Sequence, residues 1–300
     1  MSKTDIDILV CTFRRPGVED TLSSIDAQIL PPGVAIRIIV ADNDDNPTAE
    51  LDVSRAAAQM KTPVVYLHAP SRNISIARNA CLERADADWI AFIDDDERAA
   101  SDWLASLLAA AKRDCADGAF GPVKAQYGHD APDWVREYDY LSTWPEARGG
   151  EVQTGYTGNA ILRWRGSFFV EQRFSLKKGK TGGEDTEFFF RLWRAGARFS
   201  IADSAFVYEG VESARLSFHW IRKRRFRAGQ SYGRHCAAPS LLTNLRLAIA
   251  SCGKIAVCVT MTGVRALSIS KRRYWLLRSA FHCGVLSSTF GGRESVSYGN

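Results

Sequence analysis

Short apolar runs alternate with segments of helical periodicity along the first half of the chain. Residues 6–13 (IDILVCTF), 34–43 (VAIRIIVADN), 64–68 (VVYLH) and 89–93 (WIAFI) each read as a buried strand. After the first run come Pro16 and Gly17, then Val18, Leu22, Ile25 and Ile29 at helical spacing. PTAELDVSRAAAQM and ISIARNACLERA supply the next two helices, and SDWLASLLAAAK a fourth, with Ser101 as its predicted cap. Strands separated by helices of this length predict βαβ units, right-handed crossovers and a mostly parallel sheet flanked by helices. Ligands of such sheets collect at the carboxyl ends of the strands. The clusters CTFRRP, ADNDDN, APSRN and DDDE follow the four runs in turn, so all four fall on one edge. Loop solvation explains any one of them; four together predict a site.

The last cluster sets the chemistry. Asp94, Asp95 and Asp96, with Glu97 behind them, end an apolar run abruptly, and like charges this close repel unless something positive sits among them. Neither G-x-G-x-x-G nor G-x-x-x-x-G-K-[ST] follows the first strand, which removes the backbone cradles that hold phosphates in dinucleotide and P-loop folds. Hard carboxylate oxygens at a strand end suit Mg²⁺ or Mn²⁺, ions that leave positions open for a substrate's phosphates. Further on, Gly182 and Gly183 precede Glu184 and Asp185 at a predicted helix start, where the dipole favours negative charge. A capping role accounts for one of these acids, but not for both. Between the two acidic segments, Gly155 and Gly158 allow close backbone approach to a ligand, and Asn159 is the candidate side-chain contact to that ligand. Trp134, Tyr138, Tyr140 and Trp144 offer ring faces on which a ligand can stack, although packing is the expected fate of most of them.

VCTFRRP, IIVADNDDN, SRNISIARNACLERADADWIAFIDDDE and GGEDTEFFFRLWRAGARF occur in an order that resembles glycosyltransferase family 2 members with a GT-A, Rossmann-like fold. The resemblance is closest to those that build bacterial exopolysaccharides of the succinoglycan type, and it spans roughly residues 5–235. It implies an inverting, metal-dependent transfer from a nucleotide sugar, a UDP-sugar in the first instance, to a saccharide or polyprenyl-diphosphate-linked saccharide. By the same resemblance Thr12 and Phe13 cradle the base and Asp42 reads it. Arg78 or its neighbour Arg72 faces base or phosphate, and Asp94 and Asp96 form the D-x-D pair. Asp96 then holds the metal and Asp94 turns toward the ribose, while Asp95 supports them from behind. Asp185 is the implied catalytic base, with Glu184 binding the acceptor or orienting that base. A glycosidase would instead need two carboxylates flanking one bond and no metal.

Charge divides the chain. Residues 213–300 carry 15 Lys and Arg against one acid, Glu294, a net +14, whereas residues 1–212 carry 24 bases and 33 acids, a net −9. This predicts a catalytic body over 1–212, with a nucleotide-sugar half to about residue 100 and an acceptor half beyond it. A basic helical extension follows over 213–300. In that extension Arg222, Lys223, Arg224, Arg225 and Arg227 crowd one short segment, and later apolar stretches are interrupted by single bases. The pattern suits helices lying on an anionic membrane surface. Uncharged stretches such as 255–264 fall short of the roughly 20 residues a span requires. The acidic opening MSKTDIDILV is the wrong order for a signal peptide, and seven cysteines without a C-x-x-C pair suit free thiols in a reducing cytoplasm. The expected location is therefore the inner face of the plasma membrane. Two other readings exist: nucleotidyl transfer, for which the first turn lacks glycines, and nucleic-acid binding through RKRRFR, which the acidic body opposes.

Overall fold

The computed structural model describes residues 3–236 and 241–290. Ten strands and nine α-helices follow one another there: β1 (Thr4–Thr12), α1 (Val18–Asp26), β2 (Val34–Asp42), α2 (Glu50–Ala57), β3 (Val64–His68), α3 (Ile74–Arg84), β4 (Trp89–Ile93), β5 (Glu97–Ala99), α4 (Trp103–Arg113), β6 (Gly118–Phe120), β7 (Val123–Tyr127), α5 (Asp133–Tyr138), β8 (Asn159–Arg163), α6 (Glu184–Arg194), β9 (Phe199–Ile201), β10 (Val207–Val211), α7 (Phe218–Cys236), α8 (Leu241–Val264) and α9 (Ile269–Thr289). Among the described residues, 3–124 and 142–209 form one compact unit, and 125–141 with the chain from 210 onward form a second. Residues 125–141, placed in the acceptor half by sequence, thus belong with the basic helices.

The first unit is built on a seven-stranded sheet of order β3-β2-β1-β4-β8-β6-β9. β3, β2, β1 and β4 run parallel, and β8 is antiparallel to both its neighbours. Strand geometry sends successive side chains to opposite faces, and the sequence obeys it residue by residue. Ile6, Ile8, Val10, Ile38, Val40, Trp89, Ala91 and Ile93 enter one core with α1 and α4. Leu9, Ile39, Ala41, Ile90 and Phe92 enter the other with α3 and α6. Asp7 breaks the pattern: it is buried, but Arg37 Nε meets its Oδ1 at 2.8 Å and the Asp86 and Ala87 amides donate to Oδ2. A buried charge is tolerable when paired in this way. Order reverses at β1, with β2 leaving on one side and β4 on the other, which opens a crevice at the carboxyl ends of those two strands.

One local expectation needs correction. Ser101 does not cap α4: the residue before the helix is Asp102, and it makes no side-chain cap bond. The chain bends at the aspartates. It turns between β4 and β5, where the Glu97 amide donates to the Asp94 carbonyl at 3.2 Å. β5 then pairs antiparallel with β10, setting Glu97 opposite Glu209.

In the second unit α9 lies against both α7 and α8. Trp134, Val135, Tyr140, Leu216, Ile221 and Leu277 make its core. Tyr138 stacks on Tyr274 at 4.8 Å. Packing therefore claims Trp134, Tyr138 and Tyr140, as expected, while Trp144 of the first unit stays 51% exposed. α7 and α9 meet backbone to backbone. A Cβ at Gly229 would stand 2.0 Å from the Phe281 carbonyl oxygen, and one at Gly284 2.0 Å from that of Phe226. Leu242–Val264 forms one helical stretch of 23 residues that by length and composition is long and apolar enough to cross a membrane, which the count of uncharged runs did not anticipate. Its two bases, Arg246 and Lys254, divide the sequence into short uncharged runs without ending the helix.

Candidate active site

The site assembles at the carboxyl edge of the β1–β4 crevice. β1 delivers Thr12 to Arg15, β4 delivers the aspartates, α3 contributes Arg78, and α6 starts on Glu184 and Asp185. Gly183 makes the last placement possible: at φ 79° it occupies the left-handed region before α6, where a side chain would be strained. Phe188, Phe189 and Leu192 then anchor α6 in the core, with Phe188 stacked on Phe174 at 4.0 Å. The first turn of the helix is thereby held toward the crevice.

Arg78 is the centre of the arrangement. Its guanidinium is buried, lies over the Phe174 ring at 5.5 Å, donates through Nη1 to Glu184 Oε1, and approaches Asp94 Oδ1 with Nη2 at 3.7 Å. One side chain thus joins the D-x-D segment to the start of α6. Arg72 goes elsewhere, pairing with Asp45 at 2.5 Å on the exposed loop after β2. Sequence could not separate these two arginines; the fold does. The second Glu184 oxygen, Oε2, is buried without a partner.

The carboxylates titrate abnormally. Enclosure by protein lifts Asp94 to about 7 although 46% of its side chain remains exposed, and the charges of Asp96 and Asp95 add to the rise while Arg78 opposes it. Burial and the neighbouring Asp96 raise Asp95 to about 6. Glu97 is pushed up by burial and by Asp94, whose amide donates to its Oε2 at 2.8 Å. Asp185 rises to about 6 through burial and the adjacent Glu184, opposed by Arg78. Four raised carboxyls at one sheet edge mark a place short of positive charge.

Arg15, which no motif had singled out, supplies part of that charge. Its Nη2 stands 3.0 Å from Asp96 Oδ2 and its Nε 3.8 Å from Asp95 Oδ1. The available signal was electrostatic: two bases directly follow the strand that neighbours the aspartates. Arg14 takes Asp44 at 2.9 Å and lies 5.2 Å from the centre of the Phe13 ring. Asp95 is buried, and its carbonyl accepts from the Thr21 hydroxyl at 3.0 Å, a supporting position.

Two assignments fail on burial. Asp42 is fully enclosed, and its carboxylate accepts from the Asp44 amide, the Ala49 amide and the Tyr66 hydroxyl at 3.0, 2.9 and 2.9 Å. It shapes the loop into α2 and has no surface with which to read a base. Asn159 is likewise enclosed: Oδ1 accepts from Trp103 Nε1 at 2.8 Å, and Nδ2 donates to the Pro122 and Ala205 carbonyls at 2.9 and 2.6 Å. Every polar atom of that amide is used internally, so it does not meet a sugar. Its neighbour Gly158 is the one that approaches the acids, since a Cβ there would come within 2.7 Å of Glu97 Oε1.

Comparison with known proteins gives this geometry its context. The profile of Glycosyl transferase family 2 matches residues 7–184. The chain is 42% identical over 296 residues to the succinoglycan biosynthesis protein ExoM of Rhizobium meliloti (strain 1021), covering 98% of this chain and 96% of that one. It is 25% identical over 248 residues, 75% of each chain, to the glucosyl-dolichyl phosphate glucuronosyltransferase of Haloferax volcanii. Crystal structures of S. aureus TarS share the fold. One matches with TM-score 0.56 at 15% identity over 91% of this chain and 55% of its own; a 1–349 fragment matches with TM-score 0.52 at 17% identity over 96% and 92%. With the family match over more than half of its length and the likeness to ExoM over nearly all of it, the chain belongs to glycosyl transferase family 2 and is a glycosyltransferase.

Proposed function

We propose that this glycosyltransferase moves a sugar, with inversion, from a UDP-sugar to a lipid-linked or growing saccharide during exopolysaccharide assembly. The observation that carries the reading is the Arg78 bridge, which joins the aspartate turn and the first turn of α6 through the two terminal nitrogens of one guanidinium. A leaving diphosphate needs positive charge on one side, and an acceptor hydroxyl needs a proton acceptor on the other. Asp185, with its carboxyl at about 6, is ionised at neutral pH and basic enough to take the hydroxyl proton as the new bond forms. Glu184, fixed by Arg78, orients that base or the acceptor. Phe13 offers its ring to the uracil, and Arg15 lies within reach of the diphosphate.

Among the described residues no three His, Cys, Asp or Glu side chains enclose a metal site. The donor set nevertheless fits Mn²⁺ or Mg²⁺, which bind through one or two carboxylates and complete their shell with substrate phosphates and water. Asp96 and Asp94 would hold the ion, and the ion would neutralise the departing diphosphate. Relatives support the setting: one is named for succinoglycan biosynthesis, the other for a dolichyl-phosphate-linked acceptor. The basic helices, with the apolar α8, would keep the enzyme at the inner membrane face, close to such an acceptor. The test is to incubate purified full-length protein with UDP-sugars, Mn²⁺ or Mg²⁺ and a glycolipid acceptor, and to assay free UDP. Asp185→Asn is expected to abolish transfer while nucleotide still binds; sustained turnover would remove Asp185 from the role.

A further inference from the structure

A groove of about 350 Å³ runs between α8 and α9, and none of its lining residues is among those assigned to transfer. From α8 it takes Gly253, Lys254 and Val257, and from α9 Trp275, Arg278 and His282. These positions recur at helical spacing, so each helix turns one continuous face to the groove. Three of the eight lining residues, Lys254, Arg278 and His282, are basic or can become so. α7, α8 and α9 contain no Asp or Glu anywhere in their sequences, so the helices themselves offer these bases no carboxylate. Arg278 is held in place by the Tyr274 hydroxyl at 2.7 Å and lies 5.5 Å from the Trp275 ring centre. The surroundings are apolar and turned outward: Leu242, Leu245, Ile249, Val257, Val259 and Val264 of α8 are each 53–66% exposed. Free inorganic anions have no use for that flank, whereas an amphiphile with an anionic head matches both halves.

We infer that this groove is a binding site for an anionic phospholipid, its phosphate among Lys254, Arg278 and His282 and its acyl chains along the outward face of α8. The inference rests on the membrane-surface part of the function proposed above, and adds to it a defined headgroup seat in place of diffuse attraction. The Trp275 ring, apolar in body and polar at its N–H, suits the boundary between head and chain. Gly253 leaves the groove open, because a Cβ there would meet nothing within 4 Å. Lipid at this seat would hold α8 along the surface of the bilayer rather than through it.

The experiment uses full-length protein and two probes. Dihexanoylphosphatidylglycerol, below its micelle-forming concentration, is titrated while the His282 ring resonance is followed, assigned through His282→Gln. Vesicles of phosphatidylglycerol and phosphatidylcholine are used for flotation. The lipid is expected to shift the His282 signal saturably, and inorganic phosphate at the same concentration to leave it in place. Lys254→Gln with Arg278→Gln should weaken the titration at least tenfold. Gly253→Leu, which fills the groove without removing charge and improves helix propensity, should also weaken it. The same charge loss on α7, through Arg222→Gln with Lys223→Gln, should leave the titration unchanged. An equal response to inorganic phosphate, or equal weakening by the α7 pair, overturns the site. If vesicles float the protein but His282 never responds, the groove is lost and membrane attachment stands. A saturable His282 response without flotation keeps the lipid seat and removes the surface attachment.

Discussion

At the scale of single residues, the site separates groups that face the crevice from groups that build it. Asp96 and Asp94 keep exposed carboxylate, whereas Asp95 is buried. Asp96→Ala is therefore expected to abolish Mn²⁺-dependent UDP binding in calorimetry, and Asp95→Ala to lower stability or turnover while metal dependence persists. Unchanged Mn²⁺ dependence in Asp96→Ala would contradict the assignment. Asp185 gives a pH prediction with a definite sign. Its carboxyl, near 6 in the fold, must be ionised to accept a proton, so kcat/KM should fall about tenfold per unit below that pH. Raised above its value in the unfolded chain, the same group favours the fold in its protonated form, a contribution lost as pH climbs through 6. That the D-x-D pair and the acids of α6 lie together could be read from sequence because their neighbours carry the signal: an apolar run that stops, a Gly-Gly step. Asp42 and Asn159 could not, because an acid or amide at a strand end looks the same whether it serves a ligand or three internal donors. Arg15 was hidden for the converse reason, since its partners lie some 80 positions away in sequence.

At the scale of elements, alternation fixed most of the first unit. β1, β2 and β4 send odd and even residues into two different cores, and that periodicity is visible in the sequence. The turn at 94–96 was not visible, because an apolar run gives no sign of where the backbone bends. α8 was misjudged in the opposite direction: single bases interrupt a sequence count of apolar residues, but two long flexible cations do not break a helix. The crossing of α7 and α9 gives a prediction of its own. Gly284→Ala would drive a methyl group against the Phe226 carbonyl, and overpacking of this kind costs about 1–3 kcal/mol. Thermal unfolding should show the loss in the helical unit; Gly253→Ala, at an open position, should show none.

At the scale of the whole molecule, the proposed membrane attachment rests on charge more than on fold. A basic residue near an anionic bilayer contributes on the order of 1 kcal/mol and is screened within about 8 Å at physiological salt. The +14 of residues 213–300 should therefore give vesicle attachment that high salt weakens, and flotation at low and high ionic strength measures it. Residence in the soluble fraction at low salt would make the tail a packing surface instead. The glycine crossing bears on how such a protein comes into being. α7 leaves the ribosome well before α9, and until α9 follows, the face around Gly229 has no partner, while Trp134 and Phe218 lack the Arg273 side chain that lies over them at 4.6 and 5.8 Å. A nascent chain stalled there displays the kind of surface that chaperones and proteases recognise. A premature stop before α9 should therefore register in the cell as low abundance, cleared by quality control, before it registers as any change in catalysis.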